Sequence, residues 1–437
     1  MTEISEKEKE RIRKVAHLLY EGAKRVRILR SIDWPSSVKE GFFAKGALEL
    51  PEIRYPGFDA TPTIEIIREA RRMIVPIAPI DLWLERQANS IETGARMLAG
   101  IGTPVFFEHS RQVYGEPTAP LRYLPATSLE LAQSIHEVID QLARIDLGAA
   151  PAAHFSAEDV AREIEVAVRR HFAEDAPEVT LVDTLSANAL ATADRIRIRR
   201  EARFTDRDAA QLLNHEAYIH VATSLNGRAQ TDLPILGAGH PCTTRTQEGL
   251  AVFAEIISGT MELDRLRRLA DRVFAIQMAV EGADFLQVYR YFLERTGNPD
   301  QSFENARRVF RGGVITGGAP FTKDVVYLFG LLQVSTVIRA VFSAGRSDCL
   351  RLLFCGKLEV QDIPALCELA AMGLCRPARY LPPWASDLRS LLALLTYSTF
   401  INKIDPAPLM AVVQQLLEHA PLVEFPAQES ITQDIEK

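Results

Sequence analysis

Residues 195–220 read RIRIRREARFTDRDAAQLLNHEAYIH and join a strand pattern to a helix pattern. Arginine and isoleucine alternate over 195–199, and this period of two predicts a strand with one solvated face. Thr205, followed three residues later by Asp208, predicts a capped helix that runs through the histidines to about Thr223. The exposed edge of such a strand can align an extended peptide beside the helix.

The rest of the chain has mainly helical periodicity. Further helices are predicted over 61–73, 81–99, 128–147 and 156–173, with a second strand over 179–185. The sequence therefore predicts an α+β fold that is mainly helical, with a small mixed or antiparallel sheet beside the histidine-bearing helix.

A run of small residues that contains proline, Gly148–Ala153, is the best candidate for a domain boundary. We predict a helical N-terminal region over 1–150, a central domain with the histidine motif over 151–345, and a helical C-terminal extension over 346–437.

The composition is that of a globular protein. Of 437 residues, 47% are apolar and 24% are charged, and the formal net charge is -7. Nucleic-acid binding and binding to anionic membranes both favour a basic surface, so we expect neither kind of partner. Composition does not determine the oligomeric state.

The predicted location is the cytoplasm. The five cysteines contain no CxxC pair and are expected to be free thiols of a reducing compartment. The charged N-terminus lacks the apolar core of a signal peptide. The apolar stretch Val325–Phe342 is interrupted by Gln333 and Arg339, which predicts a buried helix rather than a membrane span.

His215, Glu216 and His220 form an HExxxH motif, one residue longer than the HExxH of many zinc peptidases. On an ideal α-helix the two histidines would diverge by roughly 140° and could not share a metal ion. A local i→i+5 turn would reduce this angle to roughly 50°. The motif can therefore bind a metal only if the helix bulges or ends there.

Glu248, near the start of the next predicted helix, is a possible third ligand, and Glu255, two helical turns later, is an alternative. Two imidazoles and one carboxylate would leave a coordination position open for water, as in catalytic zinc sites. Glu216 would then act as the general base. Ligands of this kind accept several divalent metals, so manganese and iron remain alternatives to zinc.

The sequence resembles the bacterial flavohaemoglobin-expression-modulating QEGLA-motif proteins, which are related to the microtubule-associated tyrosine carboxypeptidases. The resemblance runs from about residue 50 to about residue 335. It is carried by the HExxxH motif and four other segments: YGEP at 114–117, NGRAQ at 226–230, TQEGLAVFAE at 246–255 and TKDVVYL at 322–328.

This resemblance implies a zincin-like catalytic domain with a zinc ion held by His215, His220 and Glu248, and with Glu216 as the catalytic acid and base. It favours Glu248 over Glu255, because the family motif centres on Glu248. Family members commonly have small residues between the histidines, whereas this chain has Tyr218 and Ile219.

A carboxypeptidase also needs a cation for the terminal carboxylate of its substrate and a donor for the oxyanion. Arg228 and Lys323 are candidates for the cation, and Tyr327 and His240 for the donor. Arg245 is a further candidate for the substrate site or for supporting the metal ligands.

The leading hypothesis is a zinc-dependent metallopeptidase, of carboxypeptidase type, that acts on the C-terminus of a peptide or protein. The first alternative is a regulatory or peptide-binding protein that retains zinc without catalysis. The second is a metal-free helical interaction protein.

Overall fold

The protein is mainly helical, with one small sheet, in a computed structural model that describes residues 5–75, 77–122, 124–142, 145, 152–183, 185 and 188–418. The helices before the sheet are α1 (Glu6–Arg25), α2 (Ile28–Ser31), α3 (Ser36–Ala44), α4 (Thr61–Arg71), α5 (Pro79–Ala99), α6 (Pro104–Tyr114), α7 (Ser128–Gln141) and α8 (Ala157–Phe172). The strands are β1 (Glu178–Val182), β2 (Ala189–Ala191) and β3 (Arg195–Arg199).

The chain after the sheet is helical. It contains α9 (Asp208–Leu212), a π-helix (Leu213–Val221), α10 (Ala222–Arg228), α11 (Thr244–Ile257), α12 (Leu263–Val280), α13 (Phe285–Thr296), α14 (Pro299–Phe310), α15 (Val326–Ser343), α16 (Ser347–Leu352), α17 (Ile363–Ala371), α18 (Pro383–Ser386), α19 (Leu388–Ile401) and α20 (Ala407–Glu418). Short 3-10 turns lie at Ala173–Asp175, Pro234–Gly237, Pro241–Thr243, Lys323–Val325 and Val360–Asp362. The predicted fold class, mainly helical α+β with a small sheet, is confirmed.

Helix α8 begins where its capping pattern predicts. The Ser156 hydroxyl accepts a hydrogen bond from the Asp159 amide, and the Asp159 carboxylate accepts one from the Ser156 amide. Its buried stripe, which includes Val160, Ile164 and Phe172, packs against the sheet. This face has the spacing of an amphipathic helix, so the packing follows from the sequence period.

The sheet has the strand order β1-β3-β2. Strand β3 pairs in parallel with β1 and antiparallel with β2, so the sheet is mixed. Ile196 and Ile198 face the core and are at most 1% exposed. The expectation that the arginine strand offers an open edge is wrong, because β3 has a partner on both sides. The short strand β2, which shows no useful periodicity, lies at the edge instead.

Helices α11 and α15 cross at very close range. A Cβ atom built on Gly249 of α11 would lie 2.3 Å from the carbonyl oxygen of Gly330 of α15. Only glycine at both positions allows the two backbones to approach so closely. The crossing places the N-terminal turns of α11 beside the segment that precedes α15.

The apolar segment Lys323–Ser343 is long and apolar enough to cross a membrane by length and composition, with a mean hydropathy of 1.8, and half of it is buried inside the protein. Core helices of soluble proteins have the same pattern. Its buried residues include Leu328, which packs with Val252 and Val273.

The chain forms one compact unit that ends at Ser386 and a second that begins at Asp387. Residues 148–151 of the predicted boundary lie outside the described residues. The divisions at 150/151 and 345/346 therefore stay predictions. All five cysteines are described, and each is a free thiol, as expected from their spacing.

Candidate metal centre

The HExxxH motif lies in a π-helix, Leu213–Val221, inserted between α9 and α10. The Ala222 amide donates to the Ala217 carbonyl, the i→i+5 bond of a π-turn. This is the bulge that the motif requires, and it brings the rings of His215 and His220 to a centroid distance of 5.0 Å, at 79° to each other. The bulge therefore puts the two imidazoles on one face.

Two hydroxyl groups contact backbone carbonyls of the π-helix. The Thr223 hydroxyl lies 2.7 Å from the Ile219 carbonyl and 2.8 Å from the Gln247 side-chain oxygen. The Ser224 hydroxyl donates to the His220 carbonyl at 2.6 Å. Tyr218, between the two histidines, packs against the core that α8 shares with the sheet.

Three ligand-type atoms converge beside the bulge. His215 Nε2 lies 3.8 Å from Glu248 Oε2, and His220 Nε2 lies 3.9 Å from the same oxygen. One ligand-type atom from each residue lies within 4.8 Å of those of the other two. Burial, together with the neighbouring His215, lowers the pKa of His220 to about 3, so its ring is neutral and has a lone pair to offer.

Glu255 lies on the far side of His215. Its Oε1 is 2.6 Å from His215 Nδ1, and its oxygens accept two hydrogen bonds of 3.2 Å from Arg265. Burial raises the pKa of Glu255, but Arg265 and His215 outweigh it and hold that pKa at about 2. The ionised carboxylate fixes the Nδ1–H tautomer and leaves Nε2 of His215 directed at Glu248. This is the usual support of a metal-binding histidine.

Glu216 is held next to the histidines by the edge strand of the sheet. Its Oε2 accepts a hydrogen bond of 3.0 Å from the Ala191 amide in β2. Burial and the Glu248 charge raise the pKa of Glu216 and outweigh the opposite effect of His215. A carboxylate with a raised pKa beside a metal-type cluster is suited to proton transfer.

Lys323 neutralises the other oxygen of the third candidate ligand. Its Nζ donates to Glu248 Oε1 at 2.7 Å, and both side chains are largely buried. Burial raises the pKa of Glu248, but Lys323 and the two histidines lower it by more than burial raises it. The pKa is therefore below its ordinary value, and the carboxylate is ionised. Its Oε2 therefore faces the histidines as an anion.

Each residue of the QEGLA box, 247–251, contacts a neighbouring element or is buried where α11 crosses α15. Gln247 contacts Thr223 of the neighbouring helix, Glu248 faces the histidines, and Gly249 meets the backbone of Gly330. Leu250 and Ala251 are completely buried. The motif thus combines one residue that faces the histidines with four that contact or pack against neighbouring elements.

The model of one protein family, the microtubule-associated tyrosine carboxypeptidases, matches residues 40–403. The chain belongs to this family. A search of curated proteins finds no match for the chain. The relation inferred from HExxxH and QEGLA is therefore confirmed at the level of the family, which is one of carboxypeptidases.

A carboxypeptidase needs a cation for the terminal carboxylate of its substrate, so we compared the surroundings of the two predicted cations. Arg228 is exposed and forms a bidentate ion pair with Asp194, so its charge is already neutralised at the surface. Lys323, as described, is bonded to Glu248. Both residues predicted to receive a substrate carboxylate are thus engaged by a carboxylate of the protein.

The other three candidates lie in different surroundings. His240 is buried, with Nδ1 3.1 Å from the Ser90 hydroxyl. The Tyr327 hydroxyl accepts a hydrogen bond of 3.2 Å from Arg308, and the Lys323 ammonium lies 5.2 Å from the centre of its ring. Arg245 stacks over a phenylalanine and lines a separate cavity of about 240 Å³ with Glu116 and Gln361.

Lys357 is a residue at this site that the sequence analysis did not identify. The ammonium of this half-buried lysine acts electrostatically on Glu216, Glu248, His220 and His240. Lys357 lies more than a hundred residues beyond the QEGLA box, in no motif, so no local pattern signals its position.

Proposed function

We propose that this protein is a zinc-dependent carboxypeptidase that hydrolyses the last peptide bond of a peptide or protein. The observation that carries the proposal is the convergence of His215 Nε2, His220 Nε2 and Glu248 Oε2. The Glu216 carboxylate is near enough to interact with the charges of His215 and Glu248. The family supplies the class of reaction, and its name supplies tyrosine as the residue to test first.

The residues present fit a zinc ion. Donor atoms about 2 Å from a tetrahedral zinc ion lie roughly 3.3 Å from one another, and the contacts of 3.8 and 3.9 Å here are only slightly wider. Within the described chain, neither Nε2 atom has a hydrogen bond, so no protein group competes with a metal ion for either atom. His215, His220 and Glu248 would hold the metal, and two of them retain partial solvent access, which leaves room for water.

The chemistry divides between the metal and the protein. Zinc, when bound, would act as a Lewis acid that lowers the pKa of water to about 7. Glu216 would receive the proton of the attacking water and return it to the leaving amine, which its raised pKa favours. Glu255 would hold His215 in its tautomer throughout.

The sheet suits an extended substrate at this position. The Ala191 amide points away from β3 to reach Glu216, so the outer edge of β2 faces the cluster. We propose that the peptide runs along this edge rather than along β3. Zinc as the native metal, a cytoplasmic location and the absence of nucleic-acid and membrane partners stay predictions.

The test begins with zinc content and hydrolysis in the same preparations. Wild-type protein is expected to bind about one zinc per chain and to release tyrosine from a peptide with a free terminal carboxylate. Glu216→Gln should retain zinc and lose activity by at least about 100-fold. His215→Ala should lose both.

The outcomes separate the proposed enzyme from the alternatives. Stoichiometric zinc without hydrolysis of any peptide would favour the regulatory or peptide-binding protein that retains zinc. No zinc, even after it is supplied, would overturn the metal site. Equal activity of wild type and Glu216→Gln would remove Glu216 from the mechanism.

A further inference from the structure

The proposed carboxypeptidase must distinguish a terminal peptide bond from an internal one. The chemical difference is the free α-carboxylate, which a protein binds most strongly with a cation that forms charge-assisted hydrogen bonds. Such a cation must lie beside the metal site and must not already be neutralised by a protein carboxylate. This second requirement excludes most of the cations near the site.

The cations in contact with the site's carboxylates have short ion pairs. Lys323 is paired with Glu248 at 2.7 Å, and Arg265 with Glu255 at 3.2 Å. Either cation would have to break a buried ion pair before it could bind a substrate, which costs more than the new contact returns.

Lys357 has the required properties. Within the described residues, its Nζ has no hydrogen bond and no ion pair, whereas its ammonium is near enough to interact with the charges of Glu248 and Glu216. Burial lowers the pKa of Lys357 more than these carboxylates raise it. The structure thus holds a partly buried lysine whose charge no protein group satisfies directly.

The backbone fixes this lysine firmly. The Lys357 amide donates to the Leu236 carbonyl at 2.7 Å, and the preceding Gly356 allows close approach, because its Cβ would lie 2.5 Å from the same oxygen. The side chain then passes Gly239, where an added Cβ would lie 3.5 Å from both Lys357 Cδ and Nζ. The ammonium is therefore held against the loop that leads into α11.

The neighbouring His240 offers a second donor. The Ser90 hydroxyl accepts from the Cys242 amide at 2.9 Å, so its hydrogen is free for His240 Nδ1, 3.1 Å away. With Nδ1 as the acceptor of the Ser90 hydrogen, the neutral ring carries its proton on Nε2, and that atom is buried without a partner in the described chain. A buried donor of this kind needs an acceptor.

The charges at the site also favour an anion. With the metal bound, the positive charges of the ion, Lys323 and Lys357 outnumber the negative charges of Glu216 and Glu248, while Glu255 and Arg265 cancel each other. An excess of positive charge in a partly buried cleft attracts a negative ligand.

We propose that Lys357 binds the α-carboxylate of the last residue of the substrate, so that it determines specificity for a free C-terminus. This proposal rests on the proposed function. His240 would donate a further hydrogen bond to the same carboxylate. Lys357 would act on binding of the terminal carboxylate, and Glu216 on proton transfer.

Binding can be measured apart from catalysis. The probes are two fluorescently labelled peptides of identical sequence ending in tyrosine, one with a free carboxylate and one with a C-terminal amide. The protein is zinc-loaded Glu216→Gln, with Lys357 intact or changed to Met or Arg. Lys24→Met is the matched control, because it removes the same charge from an exposed surface pair with Glu21.

With Lys357 intact, the free acid should bind roughly 10- to 100-fold more tightly than the amide. Lys357→Met should remove this difference at unchanged zinc content, Lys357→Arg should restore part of it, and Lys24→Met should leave it intact. A Lys357→Met variant that still prefers the acid by the same factor would overturn the proposal. Equal binding of acid and amide, or binding of neither, by the protein with Lys357 intact would also overturn it.

Failure of the proposed function gives a different pattern. Wild-type protein that hydrolyses neither peptide would contradict the enzyme, while the binding comparison still decides the role of Lys357. Wild-type protein that hydrolyses the acid and the amide with equal kcat/KM would retain the peptidase and remove the carboxylate site.

Discussion

His215 Nδ1 and Glu255 Oε1 lie 2.6 Å apart, and the carboxylate is completely buried. Glu255 is two helical turns beyond Glu248 on α11. The same helix therefore places one carboxylate near Nε2 of His215 and another at its Nδ1. Arg265 keeps Glu255 ionised from behind. The contact orients the nitrogen that faces the candidate metal position without occupying that position.

Removal of the Glu255 carboxylate should therefore weaken zinc binding. We expect Glu255→Ala to lower zinc affinity by about 10- to 100-fold, and Glu255→Gln to lower it less, because the amide oxygen can still accept from Nδ1. Competition with a chromophoric chelator measures the affinity. Glu163→Gln, on the exposed face of α8, is the control. Wild-type affinity in Glu255→Ala would contradict this role.

The approach of α11 to α15 should tolerate no side chain at Gly249. A Cβ there would lie 2.3 Å from the Gly330 carbonyl oxygen, so Gly249→Ala must push the helices apart. We expect a loss of at least about 2 kcal/mol in the free energy of unfolding, together with weaker zinc binding. Urea unfolding measures the first effect.

Gly41→Ala is the matched control for this change. Gly41 lies in α3, and an added Cβ would have no heavy atom within 4 Å. It should leave stability unchanged or raise it by up to about 1 kcal/mol, because alanine restricts the unfolded chain. Equal effects of the two substitutions would show that the crossing is not the cause.

The π-helix should depend on the Thr223 hydroxyl. Thr223→Val keeps the shape of the side chain but removes the contacts with the Ile219 carbonyl and with Gln247. We expect a loss of about 1 to 3 kcal/mol in the free energy of unfolding, and weaker zinc binding as the histidines diverge.

Thr336→Val provides the comparison for Thr223, because its hydroxyl also donates to a helix carbonyl, at 2.8 Å, but at an exposed position. Thr336→Val should change neither the free energy of unfolding nor the zinc affinity measurably. Retention of full zinc affinity in Thr223→Val would show that the bulge does not need this hydroxyl.

Glu359 should make stability depend on pH. Burial and the neighbouring Asp362 raise the pKa of Glu359 to about 7 from its ordinary 4.5, against the opposing effect of Arg245. The folded state therefore binds a proton between these values that the unfolded state releases. The stability contributed by this group is full below pH 4.5 and is lost as pH rises through 7.

Glu359→Gln should remove this dependence. Relative to the variant, the wild type should lose up to about 3 kcal/mol between pH 5 and pH 8. Urea unfolding of both proteins at several pH values measures the difference, from which the titration of groups distant from Glu359 cancels. Parallel curves for the two proteins would contradict the raised pKa.

The sequence predicts the individual elements well where they are long and periodic. The start of α8 at its Ser156 cap and the strand at 195–199 both follow from local pattern. Strand β2 does not, because three residues cannot display a period. Its pairing with β3 moved the open edge of the sheet to a different strand.

The candidate site follows the same division. The HExxxH spacing required a bulge on geometric grounds, and the π-helix supplies it. The cations could not be assigned, because a charge pattern does not show which charges neutralise one another. Arg228 pairs with Asp194 and Lys323 with Glu248, whereas Lys357, distant in sequence, has its charge free.

By itself the sequence determined the mainly helical α+β class, the family and the need for a bulge between His215 and His220. These properties depend on residue type and on local spacing. Only the tertiary structure decided that Glu248 faces the Nε2 atoms while Glu255 contacts Nδ1. The two carboxylates lie on one helix face about 10 Å apart along the axis, so only the crossing of α11 with the π-helix determines which one each histidine nitrogen meets.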